Sequence, residues 1–203
     1  MVDKKKLSKR QLEIQLSKLK ILEDPSLRLE QYPVSPEVAS ELLFMAGFEH
    51  NDLKGATIDL GTGTGRLAIG AVLIGANHVA GADIDPKALD IARDNARIAR
   101  VDVEWIHSPV EKLEGSYDTV LMNPPYGTRT AHADLVFLDK AFQLAPIIYT
   151  IHKSATRRYL TNYMEKRGRK VDETRSMVLD LPNLFEFHRK KTKSVEVDLY
   201  RIV

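Results

Sequence analysis

Ala56-Thr57-Ile58-Asp59-Leu60-Gly61-Thr62-Gly63-Thr64-Gly65 is a short apolar run that closes on an acid and three alternating glycines. Glycine lets a backbone turn sharply and lets a ligand approach where a Cβ would clash. The residues that follow, Arg66-Leu67-Ala68-Ile69-Gly70-Ala71-Val72-Leu73, read as a buried helix. Strand, glycine turn and helix in that order place a cofactor at the carboxyl end of a strand, beside a helix N-terminus. Spacing narrows the choice. A phosphate-cradling loop needs Gly-Lys-Ser/Thr, whereas Gly65 is followed by Arg66-Leu67. The dinucleotide fingerprint needs a glycine where Arg66 stands.

What remains, Asp59-x-Gly61-x-Gly63-x-Gly65, resembles motif I of the class I S-adenosylmethionine-dependent methyltransferases. The pattern suits a ligand without pyrophosphate: Asp59 holds the methionine ammonium and the glycines let the backbone pass under the sulfonium. A plain tight turn is the alternative. A second acid favours the ligand. Val79-Ala80-Gly81-Ala82-Asp83 is another apolar run closed by an acid, roughly twenty residues past the glycines, where this fold class binds ribose hydroxyls. Capping of the helix that starts near Pro86 suits Asp85 better than Asp83.

A second stretch, Asp118-Thr119-Val120-Leu121-Met122-Asn123-Pro124-Pro125-Tyr126, ends just as abruptly. Two prolines remove two donors and stiffen the chain, which leaves the carbonyls of Asn123 and Pro124 as acceptors. With the Asn123 side-chain oxygen they grip a planar NH2 group, and Tyr126 offers a face for stacking. The lone pair of an exocyclic amine is delocalised into its ring. Acceptors on both hydrogens push the nitrogen towards tetrahedral geometry and aim that lone pair at a methyl group. Alignment then does most of the catalysis, and no strong general base is required. An ordinary proline turn is the competing reading. Asn-Pro-Pro-Tyr is similar to motif IV of the amino-methyltransferases, which act on adenine N6, cytosine N4, guanine N2 or a glutamine amide.

The remainder of the 203 residues, 43% of them hydrophobic, suits one domain of ordinary core size. Lacking cysteine, the chain has no disulfide framework or thiolate metal site. His78, His107, His132, His152 and His188 show no metal-ligand spacing, so no metal is expected. No signal peptide or membrane span is visible, and a cytoplasmic protein is expected. Net charge is +2 but uneven: +4 over residues 1–28, −8 over 29–150 and +6 over 151–203. Basic flanks around an acidic nucleotide-sized site suggest a polyanionic substrate, although solvated helix faces give the same counts.

Lys4 to Leu22 reads as a partly amphipathic helix, so residues 1–28 form a basic helical extension before the domain at 29–203. Leu29 to Glu37 is extended and broken at Pro33 and Pro36; Ser35 is a good N-cap with Pro36 at the first helical position. Gln31 and Tyr32 stand in this stiff loop, where they would fold over the cofactor. Strands are expected at 56–60, 78–83, 102–107, 118–122, 147–151, about 171–181 and 194–203, with helices near 64–74, 86–99, 133–145 and 155–167. The alternation implies a doubly wound, seven-stranded, mostly parallel α/β sheet. With no helix between the last two strands, an antiparallel C-terminal hairpin is expected.

Leu29-Glu30-Gln31-Tyr32-Pro33, Asn123-Pro124-Pro125-Tyr126-Gly127-Thr128, His152-Lys153-Ser154-Ala155-Thr156-Arg157 and Phe185-Glu186-Phe187-His188-Arg189-Lys190-Lys191 together resemble the archaeal and eukaryotic methyltransferase-like protein five family. That family methylates adenine N6 in small-subunit ribosomal RNA. The resemblance implies a cofactor site of Gln31, Val34, Asp59, Gly61, Thr62, Gly63, Thr64, Arg66, Asp83, Ile84, Ser108, Val110 and Asn123. It implies that Asn123, Pro124, Pro125 and Tyr126 hold the adenine, and that Lys153, Arg157, His188, Arg189, Lys190 and Lys191 meet RNA. A small zinc-binding activator protein is implied as a partner. Two positions depart from the family. Ser108 stands where many members carry an acid against the cofactor adenine, and Tyr126 where many carry Phe. The alternatives are methylation of guanine N2 or cytosine N4 in nucleic acid, or a protein glutamine-N5 methyltransferase, but the latter enzymes usually carry a helical substrate domain longer than the segment before Gln31. A DNA methyltransferase would need a recognition domain, and a decayed RNA-binding module would not keep Asp59, Asp83 and Asn123 intact.

Overall fold

The computed structural model describes residues 7–26, 29–126, 133–182 and 192–203. Seven strands form one sheet in the order β3-β2-β1-β4-β5-β7-β6. They are β1 Ala56–Leu60, β2 His78–Asp83, β3 Glu104–His107, β4 Thr119–Met122, β5 Ile147–Lys153, β6 Val171–Pro182 and β7 Thr192–Ile202. The first five pair in parallel, and β7 pairs antiparallel to both β5 and β6. This is the expected doubly wound sheet with its terminal hairpin.

The connections explain where a site must form. From β1 the chain steps outward to β2 and β3, then returns to β4 on the other side of β1. At such a switch point the loops diverge and leave a crevice at the carboxyl ends of the strands. Register does the rest. Leu60 lies opposite Met122 and Ala82, so Gly61, Asn123 and Asp83 leave the sheet side by side. Asp83 in turn lies opposite His107, which brings Ser108 to the same rim.

Helices α1 Lys9–Ser17, α2 Pro36–Phe44, α3 Arg66–Leu73, α4 Pro86–Ala99, α5 Ala133–Leu144 and α6 Arg157–Glu165 complete the layers. Strand side chains alternate between two apolar clusters. Leu12, Leu16, Leu42, Leu43 and Ile69 pack with Leu121, Tyr149 and Leu199 on one face. On the other, Leu138, Ala141, Leu160 and Met164 cover Ile58, Leu60, Val120 and Ile148. Both faces of the central strands are therefore buried, which is why they read as unbroken apolar runs. Helix α1 shares the first cluster with α2 and α3.

The helix expected over Lys4 to Leu22 is described only as Lys9–Ser17. At its start Ser8 and Gln11 form a capping box. At its end a tertiary contact overrides the periodic pattern: buried Asn95 of α4 accepts from the Lys20 N–H (2.8 Å) and donates to the Lys20 carbonyl (3.0 Å). Ser35 caps α2 as expected, accepting from the Val38 N–H (3.2 Å). The helix then widens into one π-helical turn, Met45–Glu49. Strand β3 is shorter than its expected span and is followed only by a 3₁₀ turn, Val110–Lys112, before β4.

Candidate functional site

The glycine turn after β1 takes positive φ at Gly61 (65°), Gly63 (55°) and Gly65 (86°). Their surroundings differ. A Cβ at Gly61 would lie 2.8 Å from the Phe137 ring and one at Gly65 2.7 Å from Trp105, whereas one at Gly63 would meet no atom within 4 Å. Gly61 and Gly65 are bare for packing; Gly63 is bare towards open space. Its N–H donates to Asp83 Oδ2 (2.7 Å), while Asp83 Oδ1 accepts from the Asp85 N–H (2.9 Å). Asp85 caps α4 by accepting from the Lys87 N–H (2.9 Å). Asp85 thus caps the helix as expected, and Asp83 braces the glycine turn at the cleft. Burial pushes the Asp83 carboxyl up, against the pull of the backbone N–H groups of Asp85, Gly63 and Ile84.

That cleft encloses about 260 Å³. Gln31, Val34, Asp59, Gly61, Thr62, Gly63, Thr64, Arg66, Asp83, Ile84, Ser108, Val110 and Asn123 all line it, so every residue expected at the cofactor faces one cavity. Pro125 lines it as well. The Ser108 N–H is taken by the Asp83 carbonyl (3.1 Å) and its hydroxyl donates to the Pro109 carbonyl (3.0 Å), which leaves the Ser108 oxygen as an acceptor.

Two buried charges in this wall are incompletely bonded. Asp59 Oδ2 accepts from Thr62 Oγ1 (2.6 Å) and the Ala68 N–H (3.1 Å), but among the described residues Oδ1 has no partner. Burial above all, helped by nearby Asp83, pushes its carboxyl up to about 7 against those two donors. Arg66, 8% exposed, donates from Nη1 to the Val34 carbonyl, and its Nε has no partner among the described residues. Burial lowers the guanidinium to about 10. Arg66 also opens α3, where the helix dipole favours an anion over a cation. One acceptor and one donor, both withdrawn from water, face a cavity in want of partners. A ligand carrying an ammonium and a carboxylate fits them.

Asn123 stands at the rim. Its Nδ2 donates to the Tyr32 carbonyl (3.3 Å), which turns Oδ1 the other way, where the Tyr126 hydroxyl donates to it at 3.4 Å. Half-buried Tyr126 keeps its proton, burial and then Glu30 raising its phenol. Lys153 Nζ lies 5.0 Å from the Tyr126 ring centroid. The Tyr32 loop is held on its other side by Gln31, whose Nε2 donates to Asp85 (2.7 Å) while its oxygen accepts from the Ser26 N–H (2.7 Å).

The expected RNA contacts separate. Lys153 lies beside the Tyr126 ring. Arg157, half exposed, bonds within the fold through Nε and Nη2 on Asp198 (2.7 and 2.6 Å) and Nη2 also on Ser176 (2.8 Å). His188, Arg189, Lys190 and Lys191 lie outside the described residues. Tyr32, expected to fold over the cofactor, supplies the carbonyl that orients Asn123. Two contributors were not legible beforehand: Glu30 is buried in the cleft wall with φ 50°, and Phe137 of α5 closes over Gly61. Adjacency to Gln31 was the available signal for the first; Phe137 reads as a helix core residue.

Comparison with known proteins agrees with this geometry. Residues 43–124 match the protein family described as Ribosomal protein L11 methyltransferase (PrmA). The chain is 36% identical to an uncharacterized protein of Methanocaldococcus jannaschii, over 97% of this chain and 94% of that one. It is 34% identical to the rRNA N(6)-adenosine-methyltransferase Mettl5 of Drosophila melanogaster, over 97% and 96%. A crystal structure from Pyrococcus horikoshii, described as a candidate RNA methyltransferase, superposes with a TM-score of 0.89 at 36% identity, covering 97% of both chains.

Proposed function

Since the chain belongs to the rRNA N6-adenosine methyltransferase family that includes the Drosophila Mettl5 protein, we propose that it methylates N6 of an adenine in small-subunit ribosomal RNA from S-adenosylmethionine. The observation that carries this reading is the register of β1 against β4. By setting Leu60 opposite Met122 it brings a glycine turn with unfilled buried charges into one cleft with Asn123 and Pro125, beside which Pro124 and Tyr126 follow in the chain.

When bound, S-adenosylmethionine supplies an electrophilic methyl group on a sulfonium. Asp59 Oδ1 accepts from the methionine ammonium, Gly63 leaves room for the chain, Asp83 takes ribose hydroxyls and Ile84 offers an apolar face to the adenine. Asn123 Oδ1 and the carbonyls of Asn123 and Pro124 accept from the two hydrogens of the target amine. Because Asn123 Nδ2 is already tied to Tyr32, the amide cannot turn its donor towards that amine without losing a bond. Tyr126 stacks on the base, and Lys153 beside it serves the RNA backbone. The basic segment His188 to Lys191 adds phosphate contacts. Among the described residues no helix is long and apolar enough to cross a membrane. The family resemblance further supports a small zinc-binding activator as partner.

Transfer of tritium from labelled cofactor to ribosomal subunits and to naked ribosomal RNA, followed by nucleoside analysis, tests this reading. Label in N6-methyladenosine of the small-subunit RNA is expected. Label in protein glutamine, or in another nucleoside, would replace it.

A further inference from the structure

Arg66 is a buried cation for which the described part of the chain supplies no anion. Its hydrogen bond within the protein goes to a neutral carbonyl, that of Val34, and Nε is left without an acceptor. It also stands at the first residue of α3, where the unpaired N–H groups of the helix already make the potential positive. A guanidinium placed there without a counterion is unfavourable on three counts: burial, an orphaned donor and the helix dipole. All three are relieved by one anion entering from the cleft. The opposite charge stands in the same wall, where Asp59 Oδ1 awaits a donor.

Resting on the S-adenosylmethionine reading, we propose that Arg66 determines donor specificity by binding the α-carboxylate of the cofactor's amino-acid half. A decarboxylated sulfonium, whose transferable group is aminopropyl, keeps the nucleoside and the ammonium but lacks that carboxylate. Arg66 therefore sets the enzyme to accept methyl donors and to leave the decarboxylated form in solution. The competing role is mechanical, with Arg66 acting only as a pin that holds Val34 and its loop against α3.

Calorimetric titration separates the two, using S-adenosylhomocysteine, its carboxyl methyl ester and 5′-methylthioadenosine, which has no amino-acid half. Wild-type protein should bind S-adenosylhomocysteine at least about tenfold more tightly than the ester, as expected when a charged hydrogen-bonded contact is lost. Arg66→Met should lose a similar factor for S-adenosylhomocysteine, little for the ester, and less than about twofold for 5′-methylthioadenosine. Equal losses for S-adenosylhomocysteine and 5′-methylthioadenosine would reduce Arg66 to a pin and overturn the assignment. So would a wild-type protein that binds acid and ester alike, a result that needs no variant to fold. Wild-type protein that binds none of the three ligands would overturn the cofactor reading itself, and this assignment with it.

Discussion

Asp59 and Asp198 are equally withdrawn from water, 1% and 0% exposed, yet their surroundings are opposite. Asp198, on β7, accepts from Ser154 (2.8 Å), Ser176 (2.9 Å), Tyr200 (2.9 Å) and Arg157 Nε and Nη2 (2.7 and 2.6 Å). Burial opposes ionisation there, but Arg157 and the three hydroxyls outweigh it and hold the carboxyl down at about 2. Asp59 has two donors on one oxygen and none on the other, and burial carries it up to about 7. A buried charge with a full complement of partners belongs to the fold. One with bonding capacity left over, facing a cavity, belongs to a ligand.

Variants sharpen this contrast. On the ligand side the largest effect is expected from Asn123→Ala, which removes the side-chain acceptor for the target amine. Transfer should fall about a hundredfold or more, equivalent to about 3 kcal/mol, while S-adenosylhomocysteine affinity measured by calorimetry stays within about twofold. On the fold side Asp198→Ala strands Arg157 and three hydroxyls. Loss of about 3 kcal/mol and of roughly 8 °C in Tm is expected in thermal unfolding, with cofactor affinity of the folded protein unchanged. An Asp198 variant that unfolds normally but no longer binds cofactor would break the contrast.

The pH dependence of stability should carry opposite signs at the two sites. The folded pKa of Asp198 lies below its ordinary 3.8, so its contribution is present above about pH 4 and fades as pH falls towards 2. The folded pKa of Asp59 lies above 3.8, so the ligand-free protein loses stability as pH rises from about 4 to about 7. Asp59→Asn should therefore unfold at a higher temperature than wild type at pH 8 and at an equal one near pH 4. Calorimetric scans across that range check both signs. The smallest effect is expected outside both sites. Replacing Arg189, Lys190 and Lys191 by Ala should flatten the dependence of log RNA affinity on log salt by about two units and leave cofactor binding alone.

What could be read in advance follows the same division. Local rules show in local sequence: β1 and its glycine turn, the Ser35 and Asp85 caps, and the antiparallel pairing of the last two strands. Those expected cofactor residues that follow β1 to β4 line one cleft because parallel register carries adjacent strand ends to a common rim. Long-range contacts left no such trace. Nothing near Lys18 announces that Asn95, on a helix far along the chain, ends α1. Nothing near Arg157 shows that its fork is engaged by Asp198 of β7. Glu30 gives no sign of its left-handed backbone, a conformation usually left to glycine or asparagine.

The contrast itself is tested most directly by titrating S-adenosylhomocysteine into wild type, Asp59→Asn and Asp198→Asn side by side at pH 8. In Asp59→Asn the amide oxygen still serves Thr62 and Ala68 while an NH2 replaces the free carboxylate oxygen. Affinity should fall at least about tenfold with no loss of Tm. In Asp198→Asn a donor is forced among donors, so Tm should fall and affinity should hold. Cofactor affinity that is unchanged in Asp59→Asn, or lost in Asp198→Asn with the fold intact, would contradict the assignment of the unfilled charge to the ligand.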